Sequence, residues 1–466
     1  MLFSGIPFLY YFLPCVLALY FSAPKKWKNA VLLVSSLVFY GWGEPGYIWL
    51  MLGSILCGYL SGLLIERFRG RAAAKGVLTG AAAVSLGLLG CFKYADFFIQ
   101  NFNTVTGLSV PMLKVALPIG ISFYTFQILS YVIDVYRGDV RAQRNFIHFA
   151  AYVALFPQLI AGPIVRYSDV ASQLESRTHT LSGAAAGIRI FVLGLGKKVL
   201  IANVLGELCT AYAEAEERSV VFSWMYASAY ALQIYFDFSG YSDMAIGLGR
   251  LFGFTFPENF RYPFLSGSIT EFWRRWHISL GTWFRDYVYI PLGGSRVSPG
   301  RRLWNLLIVW MLTGLWHGAA WCFILWGLYF AVLLMLEKRF LLKHLERAKI
   351  FRHVYVLLAV LVSFVIFSEA DTGLAAETLK GLFGFGGLPL ISDTQCYYLR
   401  SFGLVLLTAA FGATPLPKRL AEKMQQTRTG AVLFSIAEPV VLGLLLLTST
   451  AYLVDGSFNP FLYFRF

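Results

Sequence analysis

Apolar stretches that approach the length of a bilayer span recur from residue 6 to residue 454, with only short polar segments between them. This pattern predicts an all-α, polytopic integral membrane protein. Hydrocarbon holds no water to satisfy backbone groups, so each apolar run must be a helix that satisfies its own. No long polar region separates the runs, and residues 1–466 read as a single membrane domain. The first run, 6–21, precedes Lys25, Lys26 and Lys28, the reverse of a signal peptide's order, and is expected to stay as the first transmembrane helix.

The polar segments alternate in sign. Basic ones fall at 25–28, 67–75, 137–144, 338–352 and 418–428. The positive-inside rule assigns them to the cytoplasm. Acidic or neutral ones lie between them, at Glu44, 96–106, 214–217 and 369–393, and in the tail after Asp455. Both termini then face outward, as expected of a multi-pass protein of a bacterial inner membrane.

Parity adds detail, because an odd number of crossings must connect Arg144 to Glu214, yet two apolar segments lie between them. The first, 146–164, is flanked by Arg144 and Arg166 and ends in Ala161-Gly162-Pro163, so it reads as re-entrant or in-plane. Such backbone persists at membrane depth only where protein covers it. A second case lies between Arg301 and Lys338, where two apolar runs meet at Trp316-His317-Gly318. A helix from Arg302 rises about 22 Å by His317, short of the roughly 30 Å hydrocarbon core. His317 is therefore predicted inside the membrane near a hairpin tip. The count comes to roughly 10–12 transmembrane helices, plus re-entrant and amphipathic elements.

Composition fits this class, since 58% of residues are hydrophobic and only 14% charged, against about a quarter charged in a soluble domain. The formal charge of +14 sits in short clusters between apolar runs, which points to topology rather than to nucleic acid. The six cysteines are isolated. They indicate neither a disulfide framework nor a zinc site, and no bound cofactor or metal is expected.

Four constellations carry candidate chemistry. His317 stands in Gly314-Leu315-Trp316-His317-Gly318, an ionisable group at membrane depth, where such groups are functional by default. The alternative is a small-xxx-small contact through Gly314 and Gly318, with His317 as interhelical glue. His277 follows Glu271-Phe272-Trp273-Arg274-Arg275-Trp276, and Trp273, Trp276, Leu280, Trp283 and Tyr287 recur at helical spacing. That reads as an amphipathic interfacial helix with His277 as a headgroup anchor, or as a helix that dips inward and aims His277 at the same cavity as His317. A turn at Pro291-Leu292-Gly293-Gly294 ends the segment. Tyr124, Gln127, Tyr131 and Asp134 share one face of an apolar helix, as a substrate path or as interhelical glue. Asp237 and Asp243 are about 120° apart around a helix, so they are no same-face acid pair; Arg250 or Arg261 are the expected ion partners if they have no site role.

Walker A, G-x-G-x-x-G and G-x-S-x-G motifs are absent from the sequence, which removes support for nucleotide-driven, Rossmann and serine-hydrolase readings. The chain instead resembles the membrane-bound O-acyltransferase family in its bacterial alginate O-acetyltransferase branch. The resemblance rests on Leu117-Pro118-Ile119-Gly120-Ile121-Ser122-Phe123-Tyr124, Ala161-Gly162-Pro163-Ile164-Val165-Arg166-Tyr167, the stretch 237–243, the stretch 273–280, Arg285-Asp286-Tyr287 and the stretch 314–318, in that order. It implies a ring of helices around a central funnel, with the family's invariant histidine on His317 and its second signature position on His277. The implied catalytic pair is thus His317 and His277. The implied substrate-binding residues are Trp273, Arg274, Arg275, Trp276, Arg285, Asp286, Trp316, Tyr124 and Asp237. The arginines would attract an anionic donor, or else anchor lipid.

The resemblance further implies an acetyl group passed from a cytoplasmic thioester, acetyl-CoA, to hydroxyls of an extracytoplasmic polysaccharide such as alginate, through an SGNH-type acetyltransferase partner. D-alanyl transfer from a carrier protein to teichoic acid predicts the same histidines. A membrane transporter would share the polar stripes and broken helices, but no internal repeat supports one.

Overall fold

A computed structural model describes residues 1–160, 162–369, 371–385 and 387–456. Among them every regular element is helical. Ala161 of the expected re-entrant motif and the tail beyond Gly456 lie outside the described residues. The chain forms two compact units, one of Met1–Phe191 with Met244–Pro257, the other of Val192–Asp243 with the chain from Glu258.

Among the described residues five helices are long and apolar enough to cross a membrane: Pro45–Arg67, Ala72–Thr106, Trp321–Arg347, Phe351–Ser368 and Arg428–Asp455. A sixth span arises if Asp393–Gly412 and Leu416–Gln425, bent by 64°, count as one. By length and composition these are fewer than the roughly 10–12 expected of the whole chain. Part of the difference is local, because the run at 146–164 is broken into two short helices and the helix of the first run, Phe8–Ser22, is shorter than a span. The run at 6–21 holds a π-helical turn, Phe8–Phe12, ahead of Leu13–Ser22. The run after Leu181 stays helical through a π-helical stretch at Lys197–Asn203 to Glu214, and it carries Arg189, Lys197 and Lys198 along its length.

Boundaries move as well. The stretch 96–106, expected as an acidic or neutral loop, is the end of the 35-residue Ala72–Thr106 helix. At 1.5 Å per residue that helix is about 52 Å long, so its polar last turns outrun the hydrocarbon. The basic stretch 418–428 holds a ten-residue helix, Leu416–Gln425, whose Leu416, Leu420 and Met424 are exposed.

In the first unit, the expected re-entrant segment is two short helices, Phe146–Ala154 and Phe156–Leu159, and neither is long enough to cross. The break falls at Leu155, ahead of Pro157. The freed backbone is covered: Phe156 N–H donates to Ser36 Oγ at 3.0 Å, and Gln158 Nε2 donates to the Tyr152 carbonyl at 2.6 Å. Aromatic rings of Phe3, Phe8, Phe12 and Phe39 pack on Phe156 at centroid distances of 5.4 to 6.3 Å. The Ile121–Arg137 helix starts at Gly120 (φ 75), where a Cβ would lie 2.7 Å from the Leu159 carbonyl oxygen. Only glycine fits that approach in that conformation.

Candidate active site

The Pro299–His317 helix ends on His317 itself, and Gly318, with φ 179 and ψ 167, leads through extended backbone into the helix that opens at Trp321. The hairpin expected between Arg301 and Lys338 is therefore present. Its return arm continues to Arg347 and is long enough to cross the membrane rather than being a partial element. Glycines set how tightly it closes: a Cβ on Gly314 or Gly318 would collide with the Phe323 carbonyl or ring, and one on Gly327 with the Trp310 carbonyl. The small-residue contact is thus real, and it fixes the backbone beneath His317. The imidazole itself is half-buried. Its ring lies 4.9 Å from Trp316, 5.1 Å from Trp326 and 5.1 Å from Phe367, centroid to centroid, each edge to face.

His277 departs from the expected amphipathic pattern. The continuous helical face breaks there, because Ile269–Arg275 ends before extended Trp276 and Ile278–Phe284 begins after His277, whose φ is 45. A non-glycine residue in the left-handed region is uncommon and signals a constrained turn. The turn carries the imidazole inward, leaving it 2% exposed, which rules out a headgroup anchor. The ring packs between Phe238 at 4.6 Å and Trp316 at 5.9 Å. One indole, Trp316, therefore lies against both histidines. His277 Nδ1 is 3.3 Å from Asn259 Oδ1, while its Nε2 has no hydrogen-bond partner among the described residues. His277 lies outside the candidate spans, and burial pushes its imidazole well below the ordinary histidine range. Its imidazole is held in the neutral form in this setting.

The remaining candidates separate into groups. Trp273 and Trp276 pack into the aromatic core of the second unit. Trp273 contacts Trp310 at 4.7 Å and Phe330 at 4.8 Å, and Trp276 stacks on Phe272 at 5.5 Å. Arg275 pairs with Glu271, and Arg285 with its neighbour Asp286 at 2.7 Å, so both cations have local counter-charges; Arg274 is exposed. Asp237 forms a buried ion pair with Lys198 at 2.7 Å, and Asp243 pairs with Lys197 at 2.6 Å. The expected arginine partners are thereby replaced by two consecutive lysines, and Arg261 pairs with Glu258 instead. Gly240 lets these helices meet, since a Cβ there would lie 2.7 Å from the Gly194 carbonyl oxygen. Tyr124 belongs to the first unit, where it is buried with no partner for its hydroxyl among the described residues; Tyr131, on the same stripe, accepts from Gln143 N–H at 2.9 Å.

Three residues that sequence reasoning passed over hold this arrangement. Asn259 binds His277 and the two residues after it, Lys198 neutralises Asp237, and the fully buried Glu337 accepts from Ile269 N–H, Thr270 N–H at 3.0 Å and Thr270 Oγ at 2.9 Å. A carboxylate at that helix N-terminus satisfies orphan donors and favours the dipole. The first unit also holds a cavity of about 990 Å³ lined by Glu66, Arg67, Arg141, Arg144 and Glu175 among others. None of its lining residues is a candidate site residue.

Residues 140–368, which contain both histidines, match the membrane-bound O-acyltransferase family. A probable alginate O-acetylase of Pseudomonas putida is 41% identical over the full length of both chains. A peptidoglycan O-acetyltransferase of Helicobacter pylori is 34% identical over 84% of this chain and 81% of its own. A teichoic acid D-alanyltransferase of Bacillus subtilis is 30% identical over 46% of this chain and 58% of its own. With full-length similarity at that level and the two histidine motifs gathered around one tryptophan, the chain is a multi-pass membrane acyltransferase that belongs to the membrane-bound O-acyltransferase family, in its alginate O-acetyltransferase-like branch.

Proposed function

We propose that this acyltransferase moves an acetyl group from a cytoplasmic thioester, acetyl-CoA, toward hydroxyls of an extracytoplasmic polysaccharide such as alginate, by way of an SGNH-type acetyltransferase partner. In this reading the chain sits in the bacterial inner membrane with both termini outside. The observation that carries it is the His317 hairpin end, where a half-buried imidazole stands on glycine-fixed backbone with Trp316 shared between it and His277.

The chemistry follows from what an imidazole can do. An acceptor hydroxyl oxygen attacks the thioester carbonyl carbon while His317 takes the hydroxyl proton. The tetrahedral intermediate collapses, the C–S bond breaks, and the imidazolium returns its proton to the leaving thiolate. The products are an O-acetyl ester and a free thiol, and His317 is neutral again. Electrons and protons balance without a further reactant. His277 serves as a second polar or proton-relay group beside the reacting atoms. The exposed Arg274 is the cation best placed to attract an anionic donor.

Extended similarity to two relatives named for O-acetyl transfer, one to alginate and one to peptidoglycan, supports acetyl over D-alanyl transfer, for which the likeness spans under half of the chain. The test uses membrane vesicles containing the full chain, with radiolabelled acetyl-CoA and glycan oligomers added with and without an SGNH partner. Label should pass to the glycan and depend on His317. Label transfer only from a D-alanyl carrier protein would sink the acetyl reading.

A further inference from the structure

The turn that buries His277 is organised by one side chain. Asn259 is 1% exposed, and its Oδ1 accepts from Ser279 N–H at 3.2 Å and from Ser279 Oγ at 2.9 Å. Its Nδ2 donates to Ser242 Oγ at 3.1 Å, and its backbone carbonyl accepts from Ile278 N–H at 3.0 Å. A side-chain amide can be placed either way round when its surroundings allow it. Here they do not. A backbone N–H can only donate, so the Asn259 atom facing Ser279 must be the oxygen.

That assignment fixes the histidine. The same Oδ1 is 3.3 Å from His277 Nδ1, and an amide oxygen can only accept, so Nδ1 must carry the proton. In a neutral imidazole one nitrogen donates and the other accepts. Nε2 is therefore the bare nitrogen. It is buried and meets no hydrogen-bond partner among the described residues, while the rings of Phe238, Phe260 and Trp316 pack around the imidazole. A lone pair desolvated in this way is costly unless substrate supplies a donor.

We propose that Asn259 is a positioning residue that locks His277 in the Nδ1–H tautomer, so that Nε2 presents a lone pair to a hydroxyl of the substrate. The inference rests on the reading of His277 as a site residue and adds which atom acts and what sets it. It also states a selectivity: the group received by His277 must be a hydrogen-bond donor, such as a sugar hydroxyl, and not an acceptor such as the thioester carbonyl.

The test is nitrogen NMR on the full chain in detergent micelles, with histidine alone labelled. The chain has six histidines, and His277→Gln identifies the signal. The wild-type protein should show His277 protonated on Nδ1 and bare on Nε2; protonation on Nε2 overturns the proposal without any variant of Asn259. Asn259→Leu removes the acceptor and should shift the ring toward Nε2–H, lowering kcat about tenfold or more with KM for the thioester donor little changed. Asn259→Asp keeps an acceptor at the same place and should retain the tautomer and recover most of kcat, which separates positioning from a general loss of fold. If Asn259→Leu keeps both the tautomer and kcat while His277→Ala is inactive, Asn259 has no such role and the reading of His277 stands. If His277→Ala transfers acetyl at the wild-type rate, the reading of His277 itself fails, and this inference with it.

Discussion

Replacing Asp237 by Asn removes the carboxylate that faces the Lys198 ammonium at 2.7 Å, where the two side chains are only 4% and 2% exposed. At an effective dielectric constant of about 20, charges at that distance attract by about 6 kcal/mol. Desolvation of two ions offsets several kcal/mol per ion, so the intact pair contributes little net stability. Breaking it is different, because the surviving charge stays buried, and the expected loss is about 3–5 kcal/mol. Asp243→Asn should cost about 1 kcal/mol or less, because the Lys197–Asp243 side chains are each 31% exposed and solvent screens them. The assay is thermal unfolding of the full chain in detergent, set beside acetyl transfer in vesicles at matched protein levels. A double variant, Lys198→Met with Asp237→Leu, should return most of the lost stability, since an apolar pair of similar volume tolerates the same burial. If that variant is stable and active, Asp237 does not bind substrate. Should Asp237→Asn melt like the wild type, the argument from buried charge is refuted.

The other expectations concern the histidines, topology and Glu337. His317→Ala should lower transfer by about 10²–10⁴-fold with near-normal abundance in the membrane, and His317→Gln should fail too, because an amide cannot cycle a proton; retained activity in the Gln variant ends the general-base mechanism. His277→Ala should reduce transfer far more than abundance, as measured at equal levels by immunoblot and label incorporation. Cysteines placed at Arg144 and Arg166 should both react with an impermeant thiol reagent from the cytoplasmic side, and labelling of either only from outside contradicts the re-entrant assignment. Glu337→Ala strips the acceptor from Ile269 and Thr270, and should cost about 2–4 kcal/mol of stability, read from the same melting curves.

Much of the site was legible because its signals are local. His317 stands out as an ionisable residue at the junction of two apolar runs, and the glycines beside it announce close packing. The hairpin followed from two apolar runs meeting between Arg301 and Lys338, but its return arm, expected to be partial, is long enough to cross a membrane. A break in the segment 146–164 was signalled by its flanking arginines and by the Gly162-Pro163 step at its end, although the helix breaks earlier, at Leu155. The amphipathic reading around His277 went astray because helical periodicity presumes that the helix continues. A single residue in the left-handed region redirects every side chain beyond it, and no pattern of apolar spacing encodes that turn.

The chain's sequence by itself determined the solvent it folds in, the helical class that solvent demands, the sidedness expected from its charges, and the order of motifs that places it in its family. Each of these depends on composition or on neighbours within a few turns. Tertiary structure decided which buried polar groups meet. Lys198 rather than an arginine neutralises Asp237, Glu337 caps a helix 68 residues upstream, and Asn259 reaches His277 across 18 residues. Such pairings are set by how helices pack and by the cost of leaving any buried donor or charge unsatisfied, and local periodicity carries no record of the partner.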